Sequence, residues 1–232
     1  LVGSEMCIRD REFSDIAVTY SAKGNADYHA EFIRMNATGC SYMLVNEHEK
    51  TACRVDMNMT GLYNVQNSLC AIAMVTALGF DMTECAKALS DLDGVDGRMN
   101  VIYRGDFTVI TDYAHTDDAL KKVLSTLKPL TKGRLICVFG AAGDRDKEKR
   151  PMMAKAAEDN ADILVITSDN PAHENPDEII REVMTGISGK KPCRCITDRR
   201  EAIAYALDTA RKDDVIILCG KGHETYQIIG DE

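Results

Sequence analysis

From Met99 onward the chain alternates short apolar runs with stretches of helical period, and this alternation restricts the fold more than any other feature. Strands are expected at Thr108–Asp112, Arg134–Gly140, Ile163–Ser168, Cys193–Thr197 and Val215–Cys219. Helices are expected between them at Asp117–Leu127, Pro151–Glu158, Pro176–Ile187 and Arg199–Ala210. Pro151 and Pro176 fall in first turns, where the missing N–H is not needed. Strands this apolar, separated by helices, predict an α/β fold with an open, Rossmann-like, doubly wound parallel sheet covered on both faces.

Residues 12–98 read differently. "DIAVTYS", "YHAEFIRMNA", "SYMLVNEHE" and "ACRVDMNMTG" alternate with period two and are broken by turn residues at Lys23-Gly24-Asn25 and Thr38-Gly39. Two helices follow, "LYNVQNSLCAIAMVTAL" and "MTECAKALSDL", the second with Thr83 as its expected N-cap. The turn-rich "DGVDGRMN" suggests a linker, so the expected division is 12–98 and 99–232. Residues 1–11, "LVGSEMCIRDR", fit neither period and read as a non-native segment.

The net charge of −9 argues against a nucleic-acid partner, whose phosphates call for a basic surface. A local basic cluster within an acidic protein still suits a small anion. No apolar run reaches the ~20 residues that span a bilayer, and no signal-peptide core stands at the start. The nine cysteines are scattered without a C-x-x-C pair, mostly in apolar runs, which predicts buried free thiols of a reducing cytoplasm.

In an open parallel sheet, ligands bind outside the carboxyl ends of the strands. The expected strands end in polar, specific sequences: "DYAH" at Asp112–His115, "GAAGDRDKEKR", "SDNPAHENP" and "GKGHE". Each has a simpler reading. Asp112 could cap the helix at 117–127, although Thr116 already suits that place. Arg145, Lys147, Lys149 and Arg150 could form a solvated face. "DNPA" could be a turn and "GKGHE" a glycine pair. It is their convergence on one edge that suggests a site. No G-x-G-x-x-G follows a strand, which counts against a nicotinamide enzyme.

Taken in order, "GLYNVQN", "GVDGRM", "DYAHTDDAL", "GAAGDRDKEKRP", "TSDNPAHENPDEII", "DRREAIAYAL" and "GKGHETYQI" resemble the Mur ligases, from about Phe13 to the last residue. The resemblance implies an ATP-dependent acid–amino-acid ligase, cytoplasmic and monomeric, using ATP and magnesium. Such an enzyme adds the third, diamino acid, meso-diaminopimelate or L-lysine, to UDP-N-acetylmuramoyl-L-alanyl-D-glutamate through an acyl phosphate. By position, Asn64, Arg98, Asp112 and His115 would serve ATP. Arg145, Asp169, Asn170, Pro171, Ala172, Gly220 and Glu224 would serve the incoming amino acid. Diaminopimelate-adding members read D-N-P-R where this chain has Asp169-Asn-Pro-Ala172, as lysine-adding members do, whereas "GKGHE" resembles the diaminopimelate type; the amino acid stays open. The chain has no G-x-x-x-x-G-K-[ST] loop, and the family's phosphate loop and carbamylated lysine lie upstream of the resemblance, so no catalytic or metal-binding residue is expected within this chain. The expectation is the later part of the central ATPase domain followed by the C-terminal domain, inactive alone. A folylpolyglutamate synthase-like ligase and a non-catalytic ligand-binding module are the alternatives.

Overall fold

A computed structural model describes residues 17–231. The 1–11 segment lies outside them. The chain divides into two compact units between Gly94 and Val95, inside the turn-rich stretch, so Arg98 belongs to the second unit.

The first unit carries a four-stranded sheet, β1 (Tyr20–Ser21), β2 (Tyr28–Asn36), β3 (Gly39–Asn46) and β4 (Thr51–Met57), in that spatial order. β1 pairs in parallel with β2, and the other pairs are antiparallel. β3 shows the period-two burial of a strand with one covered face. Helices α1 (Leu62–Ala77) and α2 (Met82–Ser90) supply the cover. Tyr42, Leu44, Val55, Val65, Leu69 and Ile72 fill the core, and Tyr42 shares a 2.8 Å hydrogen bond with Ser68 inside it. Thr83 is not the cap of α2. Asp81 is, its Oδ1 accepting from the N–H groups of Thr83 and Glu84 at 2.8 and 3.0 Å. An ionised carboxylate there also meets the positive helix end, an advantage that a threonine hydroxyl lacks.

The second unit contains β5 (Asn100–Arg104), β6 (Thr108–Asp112), α3 (Asp117–Leu127), β7 (Leu135–Phe139), α4 (Lys149–Asn160), β8 (Ile163–Ile166), α5 (Pro176–Met184), β9 (Cys193–Cys195), α6 (Arg199–Thr209) and β10 (Val215–Cys219). Sheet order is β5-β6-β10-β7-β8-β9. The five expected strands are all present and parallel to one another. β5 is an addition that makes the sheet mixed: a half-polar antiparallel edge strand, joined to β6 by a short turn. Its outward residues Ile102 and Tyr103 are exposed, so the apolar period that marks the other strands is missing.

Every residue of β7 and β8 is buried. α6 packs on the face formed by Val109, Ile136, Val138, Val165 and Ile216, while α3, α4 and α5 contact one another in series. Thr116 caps α3 as expected, accepting from Ala119 N at 3.2 Å. α4 begins at Lys149, so Pro151 still sits in its first turn. The eight described cysteines are all free.

One cation expected on a solvated face is internal. Arg150 is 1% exposed, forks onto Glu174 at 2.8 and 2.9 Å, and reaches Glu182 at 2.5 Å. Lys147 joins Glu174 at 3.0 Å. The Arg150 hydrogen bonds hold the Glu174 carboxyl at about 2, against an ordinary 4.5. A depressed carboxylate stabilises the fold fully above pH ~4.5 and stops doing so as the pH falls through ~2. Glu174→Gln is therefore expected to cost about 1–3 kcal/mol at pH 7 and to flatten the acid limb between those values. Urea unfolding across a pH series measures both; an unchanged acid slope would contradict the assignment.

Candidate functional site

β6, β10, β7 and β8 are neighbours in the sheet, so the segments that follow them share one edge. Their side chains are interlocked there. Asp112, 5% exposed, accepts from Met99 N through Oδ2 and from Ala114 N through Oδ1, both at 2.8 Å. It does not cap α3. It clamps the turn that carries Arg98 to the end of β6. Burial pushes its carboxyl up, opposed by those two N–H groups and by the Arg98 charge.

Arg98 lies over the Tyr113 ring, 5.1 Å from its centroid. His115 meets the same ring edge-on, and His223 stacks against it with centroids 5.8 Å apart. The His115 ring is turned by a 2.7 Å contact between Nδ1 and the Tyr113 carbonyl. Tyr113 donates to Glu224 Oε1 at 3.1 Å, which ties this platform to the segment after β10.

That segment is locked by Lys221, a residue the sequence reading quoted in its motif without assigning it to the site. Its ammonium donates to Asn170 Oδ1 at 2.5 Å and pairs with Glu224 Oε2 at 2.8 Å. Asn170 Oδ1 also accepts from Ile228 N at 3.0 Å. Burial pushes the Glu224 carboxyl up, and the hydrogen bonds from Lys221 and Tyr113 outweigh it, leaving Glu224 below the ordinary range.

Asp169 differs from the other buried carboxylates of this unit. Asp112, Glu158 and Asp214 have both oxygens engaged by backbone or side-chain donors. Asp169 is 6% exposed, yet its Oδ2 has no partner. Burial pushes its carboxyl up, while Arg199 and Lys221 pull it down. Oδ2 faces Gly220, whose φ is 105°, and a Cβ there would stand 2.2 Å from it. An unsatisfied buried acceptor costs about 1–3 kcal/mol, which a ligand donor would recover.

Beside it, Ala142, Gly143, Asp144, Arg145, Asn170, Ala172 and Ile228 line a cavity of about 270 Å³. Gly143 N donates to the Asn170 carbonyl at 2.8 Å, and a Cβ on Gly143 would stand 1.8 Å from the Pro171 oxygen. Ala172 has φ 49°, and its N–H and carbonyl bind Ile228 and Gly230 at 3.1 and 2.8 Å. Arg145 is exposed at the rim.

The edge thus assembles Arg98, Asp112, His115, Arg145, Asp169, Asn170, Pro171, Ala172, Gly220 and Glu224. Asn64 belongs to the other unit, where its side chain donates to the Thr60 carbonyl at 2.8 Å on α1. Tyr113 and Lys221 stood in plain view inside "DYAH" and "GKGHE". Among the described residues no group of three or more His, Cys, Asp or Glu is placed to hold a metal ion, and no helix is long and apolar enough to cross a membrane.

Comparison with known proteins gives a consistent result. Residues 97–222 match the family described as Mur ligase, glutamate ligase domain, and residues 5–75 match the Mur ligase middle domain. The UDP-N-acetylmuramoyl-L-alanyl-D-glutamate–2,6-diaminopimelate ligase of Geobacillus thermodenitrificans is 43% identical over 93% of this chain and 44% of its own length. Its counterpart from Caldanaerobacter subterraneus is 45% identical over the same shares. A solved ligase of that name superposes with a TM-score of 0.68 at 38% identity, over 93% of this chain and 44% of the other. The chain thus spans under half the length of the relatives it matches.

Gly220→Ala is expected to drive a Cβ against Asp169 Oδ2, displacing that carboxylate, and to strain the backbone by about 1–3 kcal/mol. A lower urea midpoint together with the crystal structure of the variant checks it; an unshifted Asp169 would refute the packing described.

Proposed function

The chain belongs to the Mur ligase family, and from that membership we propose that it is the later part of an ATP-dependent acid–amino-acid ligase. The enzyme joins a diamino acid to UDP-N-acetylmuramoyl-L-alanyl-D-glutamate. ATP supplies the phosphoryl group that converts the D-glutamate carboxylate to an acyl phosphate. The incoming amine attacks that carbonyl, and the tetrahedral intermediate collapses to amide and phosphate. What this chain contributes is the placement of the amine, an effect that can account for several kcal/mol of a barrier.

The observation that carries the reading is the buried, half-satisfied Asp169 at the common strand edge, beside Asn170, Gly220 and Glu224. Its free oxygen suits an ammonium donor, and Glu224 offers a second carboxylate nearby. Arg145 on the cavity rim suits a carboxylate, which a guanidinium can grip with two hydrogen bonds. An amino acid bearing both groups fits this set. Gly220, lacking a Cβ, lets the Asp169 carboxylate pack against the backbone there.

For the adenosine end of ATP, the fitting groups are the Arg98, Tyr113 and His115 platform, with Asp112 holding the turn beneath Arg98. Asn64 is assigned by resemblance alone. Magnesium serves the family, but no ligand set for it stands among the described residues.

We take the amino acid to be 2,6-diaminopimelate, in keeping with the names of the relatives at 43–45% identity. Ala172 provides no charge for a second carboxylate, and Arg145 is the one cation among the cavity-lining residues. The complete enzyme should form amide with meso-diaminopimelate in preference to L-lysine. Ala172→Arg should widen that preference about ten- to hundred-fold, the worth of one charge-assisted hydrogen bond. Ala172 already holds φ 49°, so the larger side chain adds no new backbone strain. Preference for lysine in the unaltered enzyme would overturn the choice of amino acid. Absence of amide formation with either would overturn the ligase reading.

A further inference from the structure

Arg199 is the first residue of α6. Its capping turn at Asp198 gives it an ordinary look in sequence. In space its guanidinium reaches the backbone at the ends of two strands. Nη2 donates to the Cys219 carbonyl at 2.7 Å and Nη1 to the Ser168 carbonyl at 3.3 Å. β7 lies between β10 and β8. One side chain therefore spans the end of a third strand and holds the two carbonyls that immediately precede Gly220 and Asp169.

We propose that Arg199 is a positioning residue of the ligand site: it sets the spacing between Gly220 and Asp169 and supplies the fixed positive charge that Asp169 faces. Three observations converge on this. The two carbonyls it grips are the last before Gly220 and Asp169, which pack closely against one another. Asp169 and Arg199 attract one another, yet no ion pair between them comes within 4.0 Å, so Asp169 Oδ2 is left without a partner. A planar guanidinium offers donors in two directions from one rigid group, which neither lysine nor glutamine reproduces fully.

The charged groups facing Asp169 are Arg199 from α6 and Lys221 and Glu224 from the segment after β10, with the Tyr113 phenol close by. Lys221 is itself committed to Asn170 and Glu224. Of the two cations, Arg199 opposes the effect of burial on Asp169 more strongly. Removing its charge leaves burial to act with less opposition, so Asp169 takes up its proton at higher pH, and the form that receives an ammonium group is lost over a wider acid range.

The inference depends on the ligase reading only for its effect on turnover, so two measurements separate them. In this chain, the titration midpoint of Asp169 is followed by carboxyl carbon NMR in the unaltered protein, Arg199→Lys and Arg199→Gln. Glutamine can still donate to a carbonyl but is neutral. The midpoint is expected to rise by about one unit in Arg199→Gln, the lower end of the range for a lost opposite charge, and to stay near its original value in Arg199→Lys. In the complete enzyme, Arg199→Gln should raise KM for the diamino acid about tenfold with kcat little changed, and should move the acid limb of kcat/KM upward by the same unit. An unmoved midpoint in Arg199→Gln overturns the inference, as does a rise in Arg199→Lys as large as that in Arg199→Gln. An unfolded Arg199→Gln chain overturns it too, by assigning the guanidinium to the fold rather than to the site. A shifted midpoint in a complete enzyme that forms no amide would uphold the placement of Arg199 and refute the ligase reading instead.

Discussion

The insertion of β10 between β6 and β7 is the constraint on which the site depends. β10 is the last strand in the chain, yet it pairs with the first and second parallel strands at once, residue for residue from Val215 to Leu218. β7 is buried throughout and β6 at three of its five residues, so a slip in register would strand apolar side chains and ladder hydrogen bonds together. Fixing β10 in this way delivers Gly220, Lys221 and Glu224 beside Asp112, Tyr113, Asp169 and Asn170, which precede them by about 50 to 110 residues. Separations of that size reach one edge through parallel pairing, which is slow to form and hard to replace by local structure.

Charge burial then distinguishes what supports the fold from what serves a ligand. At the opposite end of the sheet, Asp214 is 2% exposed and fully engaged with Arg134 and with backbone N–H groups. Glu158 receives the Ser188 and Lys190 backbone N–H groups, and Arg150 is matched by Glu174 and Glu182. These sets lock loops to helices, and of their groups the Arg150 Nε is left without a partner. Around Asp169 the accounting stays open on one oxygen, within a shell of cations that are already occupied. Proteins tolerate such a group where a ligand completes it.

Much of the architecture was legible because it is written in local periods. Thr108–Asp112, Val215–Cys219 and Asp117–Leu127 agree with the structure to the residue, since apolar runs flanked by turn residues and a sound Thr116 cap leave little choice. β5 was not legible: an edge strand with exposed Ile102 and Tyr103 carries no one-sided pattern. Thr83 was a reasonable cap by residue type, but Asp81 stands at the actual entry of the helix. The cation run at 145–150 looked uniform in sequence. Tertiary structure divided it, sending Arg150 inward to two glutamates and leaving Arg145 on a cavity rim.

By itself, the sequence determined the α/β class, the order of the elements and the four strand ends at which polar residues gather, because each follows from short-range apolar spacing and turn chemistry. Only the tertiary structure decided which of those polar groups would be spent on one another. Asp112 is consumed by two backbone N–H groups, Lys221 by Asn170 and Glu224, and Arg199 by two carbonyls, whereas Asp169 keeps an oxygen free. That difference arises from burial and from hydrogen-bond geometry between segments far apart in the chain, and no local pattern of residues encodes it.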